Sequence, residues 1–116
     1  MENSNFYEAE RFLELGLYPQ AFEAFMTLEA GSAECSYLMP CQMALKNQLT
    51  PAQLDLLFHE LESEVKNGNA KVTYNYGLVM EHTGNQAKAI QLLQLAMDTG
   101  VPEARGALTR ILIKGA

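Results

Sequence analysis

Two histidines and two cysteines are the side chains best suited to catalysis or metal binding in this chain of 116 residues. Neither His59 nor His82 has a second histidine three or four positions away, the spacing that brings two ligands onto one helix face. Cys35 and Cys41 are six positions apart, which fits neither a CxxC redox pair nor half of a zinc site. The sequence has no GxSxG nucleophile elbow and no glycine-rich phosphate loop. We therefore expect no enzymatic activity, no cofactor and no bound metal.

The charge of the chain is divided unevenly. The net charge is −6, with eleven acidic and two basic residues in 1–64 and three acidic and six basic residues in 65–116. Nucleic-acid binding needs a concentrated basic surface, which six scattered bases do not provide. The acidic half would repel nucleic acid and anionic membranes. It can attract a basic segment, or it can be only a solvated surface. We expect a protein or peptide partner, which can be basic, and neither nucleic-acid nor membrane binding.

Composition and the first residues indicate the compartment and the number of domains. Hydrophobic residues make up 48% of the chain, enough for one packed domain. No stretch approaches the roughly 18 to 20 apolar residues that cross a bilayer. The first ten residues, MENSNFYEAE, carry acids where a secretory signal has a basic start and an apolar run. We expect a cytoplasmic protein in which both thiols are reduced and partly buried; the alternative is a redox role for them.

Apolar residues recur at helical spacing through most of the chain, while strand signals are weak, so we expect no sheet. Thr50 is suited to cap one helix, with Pro51 at its first position and Gln53 completing a capping box. The last stripe contains Ala104, Ala107, Leu108, Ile111 and Leu112. The predicted helices cover residues 4–15, 19–30, 33–47, 51–66, 70–83, 86–99 and 102–114.

Glycines separate the predicted helices. Gly31, Gly68 and Gly100 each follow an apolar-periodic segment, where a residue in the left-handed conformation would end a helix. Gly16 and Gly84 lie between segments and are typical of turns inside helical hairpins.

The middle of the chain departs from this regular pattern. Asn47 stands where the other hairpins have a turn glycine. Pro40 lies inside the predicted helix 33–47, where it would remove a hydrogen bond. That helix is therefore either bent, or it begins near Pro40 after an irregular lead-in.

A segment of the first half recurs in the second. GLYPQAFEAF from residue 16 matches GNQAKAIQLL from residue 84, with alanine five positions after the glycine in both, at Ala21 and Ala89. The offset of 68 is twice the period of about 34 residues of a tetratricopeptide repeat. Ala9 and Gly77 are also 68 apart, on the preceding helices. Because a glycine inside a helix costs about 1 kcal/mol relative to alanine, we predict that Gly77 has a packing role, with Phe12 and Met80 filling the space beside these small residues.

The chain resembles a tetratricopeptide-type repeat protein, and more closely the Sel1-like repeat proteins, with the best match over residues 68–108. Tyr76 and Gly77 stand where that family has Leu-Gly, and Lys88 and Ala89 stand at its Lys-Ala. Ala96 begins the A-x-x-x-G that ends the second helix of the family's repeat. The first helix pair matches less fully, and the middle pair matches least.

The resemblance implies an all-α fold: a short right-handed α-solenoid of three helix-turn-helix repeats at about 4–30, 33–67 and 70–99, with a C-terminal capping helix at 102–114. All of these lie in a single domain spanning 1–116. It implies a bacterial adaptor or scaffold that binds a partner segment in the concave groove lined by the first helices. The tyrosines among the groove positions equally suit packing, with their hydroxyls in water. The positions that the family plan places in or beside the groove are Asn3, Phe6, Glu10, Glu14, Tyr37, Cys41, Lys71, Tyr74, Asn75, Leu78 and His82.

Other functions stay open. A small chaperone for a secreted or polymerising subunit would bury an amphipathic partner helix, and a homodimer through uncovered helix faces is compatible with the pattern. An enzyme would need a polar pocket in which one of the histidines meets a carboxylate and a cysteine. The capping helix is expected to expose its three bases, Arg105, Arg110 and Lys114.

Overall fold

The computed structural model describes the backbone of residues 2–115 and the side chains of residues 5–114. Within that range the chain forms seven α-helices and no strand, which confirms the all-α prediction. The helices are α1 Glu2–Glu14, α2 Tyr18–Ala30, α3 Leu38–Leu45, α4 Pro51–Lys66, α5 Ala70–His82, α6 Gln86–Asp98 and α7 Ala104–Gly115.

The helix predicted at 33–47 is the one whose bounds were wrong, because α3 begins only at Leu38. Pro40 is the third residue of α3, where its missing N–H has no partner to lose. Tyr37 precedes the helix in the left-handed conformation, with φ of 52°. The alternative with an irregular lead-in is therefore confirmed.

Glu29 of α2 fixes this lead-in. Its carboxylate accepts hydrogen bonds from the backbone N–H groups of Ser36 and Tyr37, each at 3.1 Å. A carboxylate that binds two adjacent N–H groups holds them more strongly than a neutral acceptor does. The segment before α3 is thus tied to α2.

The predicted capping box at the start of α4 is confirmed. The Thr50 N–H donates to Oε1 of Gln53 at 2.9 Å, and the Gln53 N–H donates to Oγ1 of Thr50 at 3.2 Å. Two further caps were not predicted: the side chains of Asn69 and Asn85 accept hydrogen bonds from backbone N–H groups at the starts of α5 and α6. Asparagine is a common N-cap residue, so an asparagine just before each predicted helix was the sequence signal for these two caps.

Most helix ends follow the predicted glycine rule, with one exception. Gly16, Gly68, Gly84 and Gly100 have positive φ. Gly31 does not: its φ is −90°, a conformation that any residue adopts, and the prediction of a left-handed residue there was wrong. After Gly31 the chain continues in a right-handed turn, in which the Ser32 N–H donates to the Glu29 carbonyl.

Asn47 takes the role of a glycine at the end of α3. Its φ is +60°, and the next N–H, that of Gln48, donates to the Met43 carbonyl at 2.9 Å. The Leu17 and Asn85 N–H groups make the same i to i−5 bond after Gly16 and Gly84. Asparagine tolerates this conformation better than other residues with a side chain, so the sequence-based assignment of a turn here is confirmed.

The chain divides into two units within α4: Met1–Leu57 and Phe58–Ala116. In the first unit α1 packs against α2, and α2 contacts α3. In the second unit α5 packs against α6, while α7 packs against α6 and contacts α5. The hairpins that the 68-residue offset predicted, α1–α2 and α5–α6, are both present.

Small residues lie where these hairpin helices meet. Ala9, Ala21 and Ala89 are fully buried. A Cβ added to Gly77 would stand 2.8 Å from both Cγ and Cδ2 of Leu93, closer than packed atoms approach. The packing role predicted for Gly77 is confirmed, since α5 and α6 approach too closely there for any side chain.

Helix α7 corrects the predicted stripe. Ala104, Ala107, Leu108 and Ile111 are buried as expected, but Leu112 is 59% exposed. Successive helical residues are about 100° apart, which carries Leu112 beyond the arc that faces α5 and α6. The exposed side of this helix therefore carries apolar side chains as well as the expected bases.

Candidate functional site

A groove runs along α1 and α2 in the first unit. One cavity of about 410 Å³ is lined by residues that include Glu8 and Phe12 of α1 and Glu23, Ala24 and Leu28 of α2. A second cavity of about 820 Å³ shares three residues with it and extends to residues 29–34. Because the two cavities share walls, we treat them as one feature, the α1–α2 groove. The shared residues are Asn5, Thr27 and Leu28.

Helical spacing explains why these side chains line one groove. On α1, Glu8 and Phe12 are four positions apart and therefore lie on one side of the helix. On α2 the lining residues recur at three- and four-residue intervals, a single helix side that neighbours the side packed on α1. They are Gln20, Glu23, Ala24, Thr27 and Leu28.

The walls of the groove combine apolar and acidic groups. Phe12, Ala24 and Leu28 are half-buried there. Phe6 is 40% exposed, and its ring makes a T-shaped contact with the buried Phe25 ring at a centroid distance of 5.9 Å. The acids are Glu8, Glu23, Glu29 and Glu34. No lysine or arginine is among the described residues that line the two cavities.

The first unit holds the entire net charge of the chain. Residues 1–57 contain eight acids and two bases, net −6, while residues 58–116 contain six of each. Carboxylates along an apolar cleft create a negative potential that low-dielectric walls concentrate. The α1–α2 groove is therefore suited to a ligand that is apolar on one side and positively charged.

The groove includes only part of the set predicted from sequence. Phe6 lines it, whereas Glu10 and Glu14 do not line either cavity. Asn3 lies outside the residues whose side chains are described. The remaining lining residues could have been found from the spacing of apolar and acidic residues on α2. They were missed because the family plan placed the groove on the first helix of each pair.

Tyr37 and Cys41 do not present side chains to a partner, which corrects their assignment to a groove. Both are 2% exposed. Tyr37 precedes α3 in the left-handed conformation and its side chain is buried in the core, so Tyr37 is a packing residue.

The remaining predicted positions all lie on α5 in the second unit. Lys71 and His82 are exposed, while Tyr74, Asn75 and Leu78 are partly exposed. Spacings of three and four residues place four of them on one side of α5, as predicted: Lys71, Tyr74, Asn75 and Leu78. A binding role for them stays a prediction.

A polar cluster in the second unit joins α4, α5 and α6. The Tyr76 hydroxyl donates to Oε1 of Glu62 at 2.8 Å, and Nζ of Lys88 pairs with the same oxygen. Lys88 Nζ also lies 5.2 Å from the centre of the Tyr76 ring, on which the Phe58 ring stacks. Each of the three polar groups has its partner within the cluster, so we interpret it as a structural tie between helices.

These contacts shift the pKa values of the groups that they join. The hydrogen bond from Lys88 lowers the pKa of Glu62, and the same bond raises the pKa of Lys88. Burial is the main cause of the raised pKa of Tyr76. In the same unit Arg110 of α7 pairs with Glu81 of α5 and lowers the pKa of that carboxyl group.

Acid is expected to weaken these ties. The pKa values of Glu62 and Glu81 lie below the unfolded value of about 4.3, so the unfolded chain binds more protons, and stabilisation that is present above about pH 4.3 is lost as the pH falls through the folded values. Because both pairs are partly exposed, we expect each to contribute about 0.5–1 kcal/mol. Urea unfolding at pH 7 and at about pH 3 measures this loss.

A variant isolates the contribution of Glu62. In Lys88→Met the pKa of Glu62 should return toward its usual range, so this variant should lose less stability between the two pH values than the wild type. Lys46→Met, at an exposed position of the other unit, should keep the wild-type pH dependence. Equal pH dependence in Lys88→Met and the wild type would contradict the role of this pair.

The candidate nucleophiles and metal ligands are dispersed. His59 and His82 are exposed, and burial, with the charge of Glu29, raises the pKa of Cys41 to about 12, so that its thiol is protonated at neutral pH. Within the described residues, no three His, Cys, Asp or Glu side chains are arranged to hold a metal ion.

None of the helices in residues 2–115 is both long and apolar enough to cross a membrane.

No protein-family model, curated protein or solved structure matches this chain. The resemblance to Sel1-like repeats therefore stays a prediction that rests on the residues quoted for it.

Proposed function

We propose that the protein is an interaction module, an adaptor or scaffold, that binds a basic amphipathic helix of a partner protein in the α1–α2 groove. The observation that carries the proposal is the lining of the groove, which combines apolar and acidic side chains, in the unit that holds the whole net charge. We also propose that the α1–α2 and α5–α6 hairpins are tetratricopeptide-like or Sel1-like repeats of a short α-solenoid. The 68-residue offset of their buried small residues supports this relation.

The dimensions of the groove favour a helix or peptide. Its lining on α2 extends from residue 20 to residue 28, about 12 Å along the helix axis at about 1.5 Å per residue. An amphipathic helix places anchors at i, i+3 or i+4 and i+7, a spacing of about two turns that matches this length. Phe6, Phe12 and Leu28 offer the apolar surface for those anchors.

The acidic residues select the charge of the partner. Glu8 and Glu23 line the smaller cavity from opposite helices, and Glu34 lies on the larger one. A partner with lysine or arginine beside its apolar anchors would meet these carboxylates, whereas an acidic partner would be repelled. Such steering raises the association rate and weakens as salt screens the charges.

Titration with model peptides tests the proposal. The probe is a fluorescently labelled amphipathic helix of leucine and lysine, and its counterpart carries glutamate in place of lysine. We expect the basic peptide to bind and the acidic peptide not to bind. Glu8→Gln/Glu23→Gln should weaken binding of the basic peptide by about tenfold, equivalent to about 1.4 kcal/mol. Ala24→Phe should weaken it similarly by filling the groove without changing the charge.

Matched controls separate groove binding from general attraction to an acidic protein. The charge control, Asp55→Asn/Glu103→Gln, removes the same charge at exposed positions outside the groove. The steric control, Ala87→Phe, adds the same ring at an exposed position of α6. Both should retain wild-type affinity. A control charge variant that weakens binding as much as the groove variant, or an Ala24→Phe variant of unchanged affinity, would refute the proposal.

A further inference from the structure

The exposed side of α7 has the chemistry that the α1–α2 groove is proposed to bind. Leu112 and Ile113 are 59% and 71% exposed, more than the other large apolar side chains described in the second unit. Arg105 and Lys114 are also exposed on this helix. Within the described residues, α7 is the only helix with a positive net charge, because its sequence ARGALTRILIKG has three bases and no acid.

Leu112 and Ile113 do not belong to the hydrophobic core of their own unit. Helix α7 is already packed through a different side, on which Ala104, Ala107 and Ile111 are buried. Arg110 is bound to Glu81 of α5, with its Nε donating at 3.1 Å, which fixes the rotation of the helix. Leu112 and Ile113 therefore stay exposed while α7 is packed against the other helices of its own unit.

The outward residues of α7 form one strip. Arg105, Thr109, Leu112 and Ile113 follow the i, i+4, i+7, i+8 spacing and lie within about 100° of arc. The strip thus has apolar anchors toward one end and a cation, Arg105, about two turns away. This is the pattern of an amphipathic ligand for a groove about two turns long.

We propose that α7 of one molecule docks in the α1–α2 groove of a second copy, so that the protein associates head to tail. The inference rests on the proposed function and names a second copy of this chain as one occupant of that groove. Charge complementarity supports it: α7 carries +3, with Arg105 on the strip itself, and the unit that contains the groove carries −6.

The alternative contact between two copies, α7 against α7, is disfavoured. A symmetric contact would join two helices that each carry three bases and no acid, and like charges at an interface cost free energy. A head-to-tail contact brings Arg105 to the groove carboxylates Glu8 and Glu23 instead. Because such a contact leaves one groove and one α7 free at the ends, association is expected to increase with concentration unless a ring closes.

The inference is tested with two variants, each of which disables one side of the proposed contact. Glu23→Gln/Ala24→Phe alters the groove, and Leu112→Gln/Ile113→Gln alters the exposed strip of α7. In sedimentation velocity at low salt, the wild type should form concentration-dependent oligomers and each variant alone should remain monomeric. An equimolar mixture should form a dimer and nothing larger, because it contains one intact groove for one intact α7. In about 1 M salt, where the Debye length is about 3 Å, the wild-type oligomers should dissociate.

Controls and opposing outcomes keep the test decisive. Leu95→Gln, at a 42% exposed position of α6, should associate like the wild type, and circular dichroism should show that every variant is folded. A wild type that stays monomeric up to about 1 mM, equivalent to a contact weaker than about 4 kcal/mol, would overturn the inference. Oligomers that persist in the groove variant, or a mixture that stays monomeric, would also overturn it.

The leucine–lysine peptide distinguishes this failure from failure of the proposed function. If the monomeric Leu112→Gln/Ile113→Gln variant binds the peptide but the wild type does not associate, the groove binds basic helices and only self-association is refuted. If neither the peptide nor a second copy binds, both proposals fail.

Discussion

Replacing Phe25 with alanine is expected to lower the free energy of unfolding by about 3–5 kcal/mol. The Phe25 side chain is 2% exposed, and it lies between α1 and α2 with its ring against the ring of Phe6. Its removal would leave a cavity beneath the α1–α2 groove. Since a domain of this size is stable by about 5–15 kcal/mol, we expect a large shift of the urea midpoint, followed by circular dichroism.

Phe6→Ala is the matched control for this prediction. Phe6 is 40% exposed and contributes mainly its edge contact with Phe25, so the loss should be only about 0.5–1.5 kcal/mol. Equal losses for the two substitutions, or a loss below about 1 kcal/mol for Phe25→Ala, would contradict the described packing.

The second large effect is expected at Gly77, where alanine should destabilise the protein although it is the better helix former. The gain in helix propensity is about 1 kcal/mol, while forcing a methyl group into a packed contact costs about 1–3 kcal/mol. At Gly77 the added Cβ would lie 2.8 Å from two atoms of the fully buried Leu93. We therefore expect a net loss of up to about 2 kcal/mol, measured by urea unfolding.

Gly106→Ala should have the opposite effect. Gly106 is also helical, in α7, but a Cβ added there meets no atom within 4 Å. With no clash, the propensity gain of about 0.5–1 kcal/mol remains. If Gly77→Ala were stabilising to the same extent as Gly106→Ala, the close approach of α5 and α6 would be refuted.

Much of the fold was predictable because it depends on local signals. Apolar spacing predicted six of the helices to within two residues of their observed bounds, and the Thr50 capping box specified the start of α4. The repeated small residues also predicted where hairpin helices would meet, since only small residues permit that approach.

The errors lie where distant contacts decide the conformation. The lead-in before α3 depends on the Glu29 carboxylate, which reaches residues seven and eight positions away, and no local pattern announces that bond. Leu112 fits the apolar period of α7, yet its exposure depends on the direction in which α5 and α6 meet that helix.

The candidate site was predictable only in its chemistry. The acidic first half indicated a basic partner, and the same charge surrounds the α1–α2 groove. The positions were mostly missed because the family plan assigned binding to the first helix of each pair. In this chain α2 contributes most of the lining of the smaller cavity, and its alternation of glutamate with small and apolar residues resembles an ordinary amphipathic surface.

Chemical-shift mapping of the labelled protein with the leucine–lysine peptide tests the binding site most directly. We predict that the largest backbone amide shifts cluster at residues 5–12 and 20–34 and saturate together at one affinity. The largest shifts at Tyr74, Asn75 and Leu78 of α5, or small shifts spread over every acidic surface, would contradict the assignment of binding to the α1–α2 groove.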